Sequence, residues 1–114
     1  MIKNVFKSEK YQEIAHDGKG FLSKNRPFDR ADFNSKIDFI DYVIVPPGTI
    51  IGKHRHDQNE EIYFLLKGNC RMEIEGEMVS VSAGDVIVNK PGGSHALIND
   101  FDTEAEIFIF QVSI

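Results

Sequence analysis

Three of the four histidines in this chain, His54, His56 and His95, combine with Glu61 to offer three imidazole nitrogens and a carboxylate oxygen. These donors suit a first-row divalent metal, and they are costly to gather in a protein interior without one. Three neutral imidazoles and one carboxylate carry a single negative charge, which partly neutralises a dipositive ion. Around an octahedral ion, four protein ligands leave two positions for water, substrate or dioxygen, so the site is open to chemistry. The donor mix suits Mn, Fe, Zn, Ni, Co or Cu, and affinity order alone does not choose among them. Glu60 stands beside Glu61 with the same chemistry, and residue type does not separate the two.

Strands must carry these side chains. His54 and His56 are two apart, so on a strand both point to one side while Lys53 and Arg55 point to the other. Residues 37–45, 61–67, 70–75, 78–82, 85–89, 95–99 and 106–112 each read as a short strand bounded by Gly, Pro, Asn or Asp turn signals. That regular run predicts an all-β sandwich or barrel. Residues 11–16 suggest a turn or a short helix, and 19–25 a strand. The expected organisation is an N-terminal segment, residues 1–36, packing on a barrel of residues 37–114 or on a partner subunit.

Alternation assigns faces. With Glu61 inward, Tyr63 and Leu65 follow it, and the Tyr63 phenol becomes a candidate to hydrogen-bond a substrate, simple core packing being the alternative. Ile62, Phe64 and Leu66 then lie on the opposite face, which is also apolar. Residues 106–112 behave alike, with Phe108, Phe110 and Val112 on one face and Ile107 and Ile109 on the other. Strands apolar on both faces are usually buried on both, and a domain this small is most simply covered by a second copy, so a homodimer is expected.

The spacing also resembles a known family. Gly48, five residues, His54-x-His56, four residues, Glu61, six residues and Gly68 match in full the first motif of the cupin superfamily. In the second motif Gly84, Gly92, His95 and Asn99 keep the family's positions, while Pro91 lies one residue late and Lys90 stands where the proline is expected. The 15 residues between Gly68 and Gly84 resemble the gap of small single-domain bacterial cupins of the conserved-barrel type. The resemblance covers about residues 37–114 and implies a double-stranded β-helix, or jelly-roll barrel. It implies His54, His56, Glu61 and His95 as the metal ligands and leaves Glu60 as a loop residue.

Composition narrows the function classes. The chain has 13 Lys and Arg against 18 Asp and Glu, a net charge of −5, which argues against a nucleic-acid surface. No apolar run approaches the roughly 20 residues of a membrane span, and the N-terminal residues lack the apolar core of a secretory signal. A lone Cys70 fits a reducing compartment, so the expected location is cytoplasmic, and it reads as a small buried apolar side chain with no base to activate it. His16, in a poorly patterned segment, reads as a solvated loop histidine, and Arg26, Arg30 and Arg55 as solvated surface charges. The resemblance implies a metal-binding protein acting on a small sugar, uronate or organic acid by isomerase- or decarboxylase-type chemistry. An Fe-dependent dioxygenase and a non-enzymatic ligand-binding or sensing module remain open beside it, and whether the chain is an enzyme stays undecided.

Overall fold

β-Branched and aromatic residues recur at period two between short turn signals, a pattern that fits a pleated, half-buried surface. In the computed structural model, which describes residues 1–114, they form ten strands. In chain order these are β1 (Tyr11–Glu13), β2 (Leu22–Asp29), β3 (Ile37–Val45), β4 (Thr49–Arg55), β5 (Asn59–Lys67), β6 (Asn69–Ile74), β7 (Glu77–Ser82), β8 (Val86–Asn89), β9 (Ser94–Asn99) and β10 (Ala105–Ser113). One turn of 3-10 helix, Arg30–Asp32, links β2 to β3, capped by the Asp29 carboxylate on the Ala31 amide.

The strands make a six-stranded sheet in the order β1-β2-β3-β10-β5-β8 and a four-stranded sheet in the order β4-β9-β6-β7. All pairings are antiparallel, and the architecture is the jelly-roll barrel expected from the motifs. Inward side chains of both sheets meet in one core: Leu22, Val43, Val45, Leu65 and Ile107 from the larger sheet, Ile51, Cys70, Met72 and Leu97 from the smaller. Burying each of the aliphatic side chains contributes about 1.5–3 kcal/mol. Asn99 is buried among them because its amide is fully used. Its Nδ2 donates to the carbonyls of Val45 and Thr103, each at 2.9 Å, and its Oδ1 accepts from the Phe101 amide at 3.1 Å. The side chain thereby ties the end of β9 to β3 and to the loop before β10.

Two expectations for the N-terminal region change. Residues 11–13 pair with β2 as strand β1 and are not a helical turn. The strand expected over 19–25 begins at Leu22 and continues to Asp29, where it pairs with β3 through a bulge that accommodates Arg26 and Pro27. The bulge matters because Pro27 has no amide hydrogen to give a regular ladder.

The outer face of the larger sheet is apolar, as alternation indicated. The N-terminus covers part of it: Phe6 sits edge-on against Tyr42 at 5.4 Å, and Val5 is buried. Phe64, Val86 and Val88 on the same sheet stay exposed.

Candidate metal centre

Two sequence-distant histidines become neighbours through one ladder. His54 near the end of β4 lies directly across from His95 in β9. His56 follows just beyond β4, and Glu61 comes from β5 in the other sheet. One potential ligand atom from each of the four side chains lies within 4.8 Å of the others, so the structure brings together the whole set read from the sequence. Glu60 lies in β5 and not in the loop expected for it, because the strand pairs with β10 from Asn59 onward, and it is half-buried and outside the group.

The three Nε2 atoms converge on a single carboxylate oxygen. Glu61 Oε1 is 3.3 Å from His54, 2.9 Å from His56 and 3.2 Å from His95. Atoms bound about 2.1 Å from one ion, at right angles to each other, sit about 3.0 Å apart. The observed separations are of that size. His54 Nδ1 donates to the Gly52 carbonyl at 2.8 Å, which fixes the tautomer and leaves the Nε2 lone pair directed at the carboxylate. Two electron-rich atoms facing each other call for a cation or a proton. His56 Nε2 is buried and, although close to Glu61, is out of line for a hydrogen bond, so it has no partner. An unpartnered buried imidazole nitrogen beside an ionised carboxylate fits a metal ligand set.

Electrostatics favour the ionised form of Glu61. Burial pushes its pKa upward, but the imidazoles of His54, His95 and His56, when they carry the proton, outweigh burial and bring it down to about 2. Tyr63 stands in the wall, 2% exposed, its ring perpendicular to His95 at 5.8 Å between centroids. Burial, with Glu61 adding to it, raises the phenol pKa well above its usual value, so Tyr63 remains a hydrogen-bond donor.

Of the four, His56 and Glu61 border a cavity of about 420 Å³ that runs along the inner face of the larger sheet. Two of its wall residues, His16 and Arg26, are solvent-exposed as read from the sequence, and each also makes a contact at the cavity. His16 stacks on His54 with centroids 3.6 Å apart and planes 6° from parallel, and it lines the cavity. It arrives on a strap, residues 15–19, held against β4 by bonds from the Gly52 amide to the Ala15 carbonyl and between Lys19 and Ile50 in both directions. His16 and Asp17 take left-handed backbone conformations there, with φ of 52° and 54°. Partial burial, followed by the effect of His54, lowers the His16 pKa below that of a free histidine. No local pattern announced this contact, because it depends on pairing over more than thirty residues.

Arg26 is the second, exposed and yet engaged at the cavity. It lines the cavity and grips Asp41 through Nε at 2.7 Å and Nη2 at 3.0 Å, with Phe39 under its guanidinium at 3.9 Å. The available signal was alternation, since Leu22, Lys24 and Arg26 share one face of β2. Arg30 and Arg55 are exposed as read, contacting Ser35 and Asp57.

Comparison with known proteins places the chain among relatives. The family model described as "Cupin domain" matches residues 41–111. An oxalate-binding protein of Thermotoga maritima is 30% identical over 89 residues, covering 78% of this chain and 74% of the relative. A crystal structure described as a predicted oxalate decarboxylase from Thermotoga maritima superposes with a TM-score of 0.96 at 24% identity, covering all of both chains. A conserved barrel domain protein from Salinispora arenicola superposes with a TM-score of 0.74 at 21% identity over 90% of this chain and 82% of the other.

Proposed function

The chain belongs to the cupin family, and on that footing we propose that it holds one divalent transition metal on His54, His56, Glu61 and His95 and binds a small organic acid there. The observation that carries this reading is the convergence of three imidazole nitrogens on one buried carboxylate oxygen at the side of an open cavity. When bound, the metal supplies a Lewis acid that neutralises and polarises carboxylate or carbonyl oxygens. The protein's own groups do the remainder. His54 is oriented by the Gly52 carbonyl, Glu61 stays ionised, and Tyr63 offers a phenol hydrogen from the wall. Among sugars, uronates and organic acids, the organic acid is favoured by the relative that binds oxalate.

Elemental analysis of protein purified without added metal, followed by calorimetric titration of oxalate into the metal-loaded form, tests this reading. About one equivalent of transition metal per chain and metal-dependent oxalate binding are expected. Protein that neither retains nor takes up a divalent ion would overturn it.

A homodimer is proposed alongside. Phe64, Val86 and Val88 form an exposed apolar patch on the outer face of the larger sheet, where a second copy would remove them from water. Sedimentation equilibrium distinguishes dimer from monomer.

A further inference from the structure

The inner face of β2 carries charge where a barrel wall would ordinarily be apolar. Lys24 and Arg26 both point into the cavity that holds the candidate metal ligands, and Asp41 of β3 sits between them. Asp41 is 3% exposed, and Lys24 also meets Glu13 at 3.0 Å. Burying Lys24 and Asp41 costs desolvation that apolar residues of similar size would avoid. The cluster is also incompletely used. Asp41 occupies Nε and Nη2 of Arg26, while Nη1 has no hydrogen-bond partner in the protein. A guanidinium forked onto one carboxylate, stacked on Phe39 and keeping a free edge, is prearranged to receive a second anion.

The position of this cluster sets the length of its ligand. Strands β2, β3, β10 and β5 lie side by side, so three strand spacings of about 4.8 Å separate the strand of Arg26 from the strand of Glu61. The register places Ile109 between Asp41 and Tyr63 in one row across the sheet. Ile109 gives that row an apolar floor, and Gln111, two positions on along β10 and opposite Glu61, is the polar neighbour on the same wall. Oxalate, whose two carboxyl carbons are directly bonded, cannot touch both ends of such a cavity.

We propose that Arg26, supported by Lys24, forms a distal anion subsite, and that the cognate ligand is an elongated diacid with a chelating head at the metal, a short methylene spacer over Ile109 and a terminal carboxylate on Arg26. This assignment rests on the metal-centre reading above and adds the substrate class. Its residue from β2 lies outside the part of the chain matched by the family model, so the subsite is a property of this chain's own N-terminal strand.

Calorimetry on Mn²⁺-loaded protein tests it, with 2-oxoglutarate and 2-oxoadipate compared against 2-oxopentanoate, which has the same chelating head and no terminal carboxylate. At least one of the two diacids should bind about tenfold or more tightly than 2-oxopentanoate, the effect of one charge-assisted hydrogen bond. Arg26→Gln should remove that advantage while leaving Mn²⁺ stoichiometry and oxalate affinity unchanged. Because Arg26→Gln leaves Asp41 with Lys24 alone and threatens folding, Asp41→Asn provides a second arm. It frees the fork and adds one positive charge, so the diacid should bind more tightly than to the parent. Diacids that bind no better than 2-oxopentanoate, or an Asp41→Asn variant with unchanged or weakened diacid binding, would overturn the subsite. Loss of Mn²⁺ binding by the parent would instead overturn the metal centre.

Discussion

Gly52→Ala should detach the strap that carries His16, without touching any of the four candidate ligands. A methyl group added at Gly52 lies 1.9 Å from the His16 carbonyl oxygen and 2.8 Å from its carbonyl carbon, both of them backbone atoms that no rotamer change can move. The strap must therefore leave β4. It then gives up the Gly52–Ala15 hydrogen bond at 3.1 Å and the two Lys19–Ile50 bonds at 3.1 and 2.8 Å. At about 0.5–1.5 kcal/mol net per bond, the loss is about 1.5–4.5 kcal/mol. For a chain of this size 1 kcal/mol corresponds to about 4 °C, so Tm should fall by about 6–18 °C. Gly18→Ala makes the reciprocal clash, 1.9 Å from the Ile50 carbonyl oxygen, and should cost a similar amount. Since either change breaks the same contact, the double variant should be scarcely worse than each single one, a non-additivity read by thermal denaturation of all four proteins. In NMR spectra the His16 ring protons should lose the ring-current shift of the His54 stack. A Gly52→Ala protein that melts with the parent, or singles whose costs add in full, would refute this account of the strap.

Other perturbations reach the site and the core. Gly92→Val should reduce metal loading, because Gly92 has a φ of +82° and its amide holds the His56 carbonyl at 2.6 Å, so a β-branched residue there costs about 1–2 kcal/mol of strain beside a ligand. A full metal complement in elemental analysis of that variant would contradict it. Glu61→Gln, nearly isosteric, removes the one negative charge facing three imidazoles and should lower Mn²⁺ affinity by at least about tenfold in calorimetry, with the fold retained by circular dichroism. Cys70 is buried, and burial followed by Asp100 raises its thiol pKa to about 12, so the thiolate is absent through pH 9 and Ellman's reagent should label it only after unfolding. Rapid labelling of the native protein at pH 8 would count against that burial.

Much of the barrel could be read along the chain because its cause is local. Turn residues and period-two alternation located Ile37–Val45 residue for residue and six further strands to within a few positions. The alternation also told which side of β5 carries Glu61, Tyr63 and Leu65. The N-terminal region resisted because its structure is imposed from outside. Tyr11–Glu13 is only a short strand and owes its conformation to β2, while residues 15–19 owe theirs to hydrogen bonds with β4. Arg26 reads as a surface charge because charge ordinarily marks solvent, and its buried partner Asp41 stands on another strand.

The sequence by itself determined the donor set: which atoms could bind a metal, and through the two-residue spacing of His54 and His56, that two of them share a side. Spacing along a strand converts directly into direction in space, so that inference needs no tertiary contact. Only the tertiary structure decided that His95 would face His54 across a ladder, that Glu61 would reach them from the opposite sheet, and that His16 and Arg26 would belong to the same cavity. Those relations depend on which strands pair and in what register, and register is settled by burial summed over both sheets rather than by any one segment.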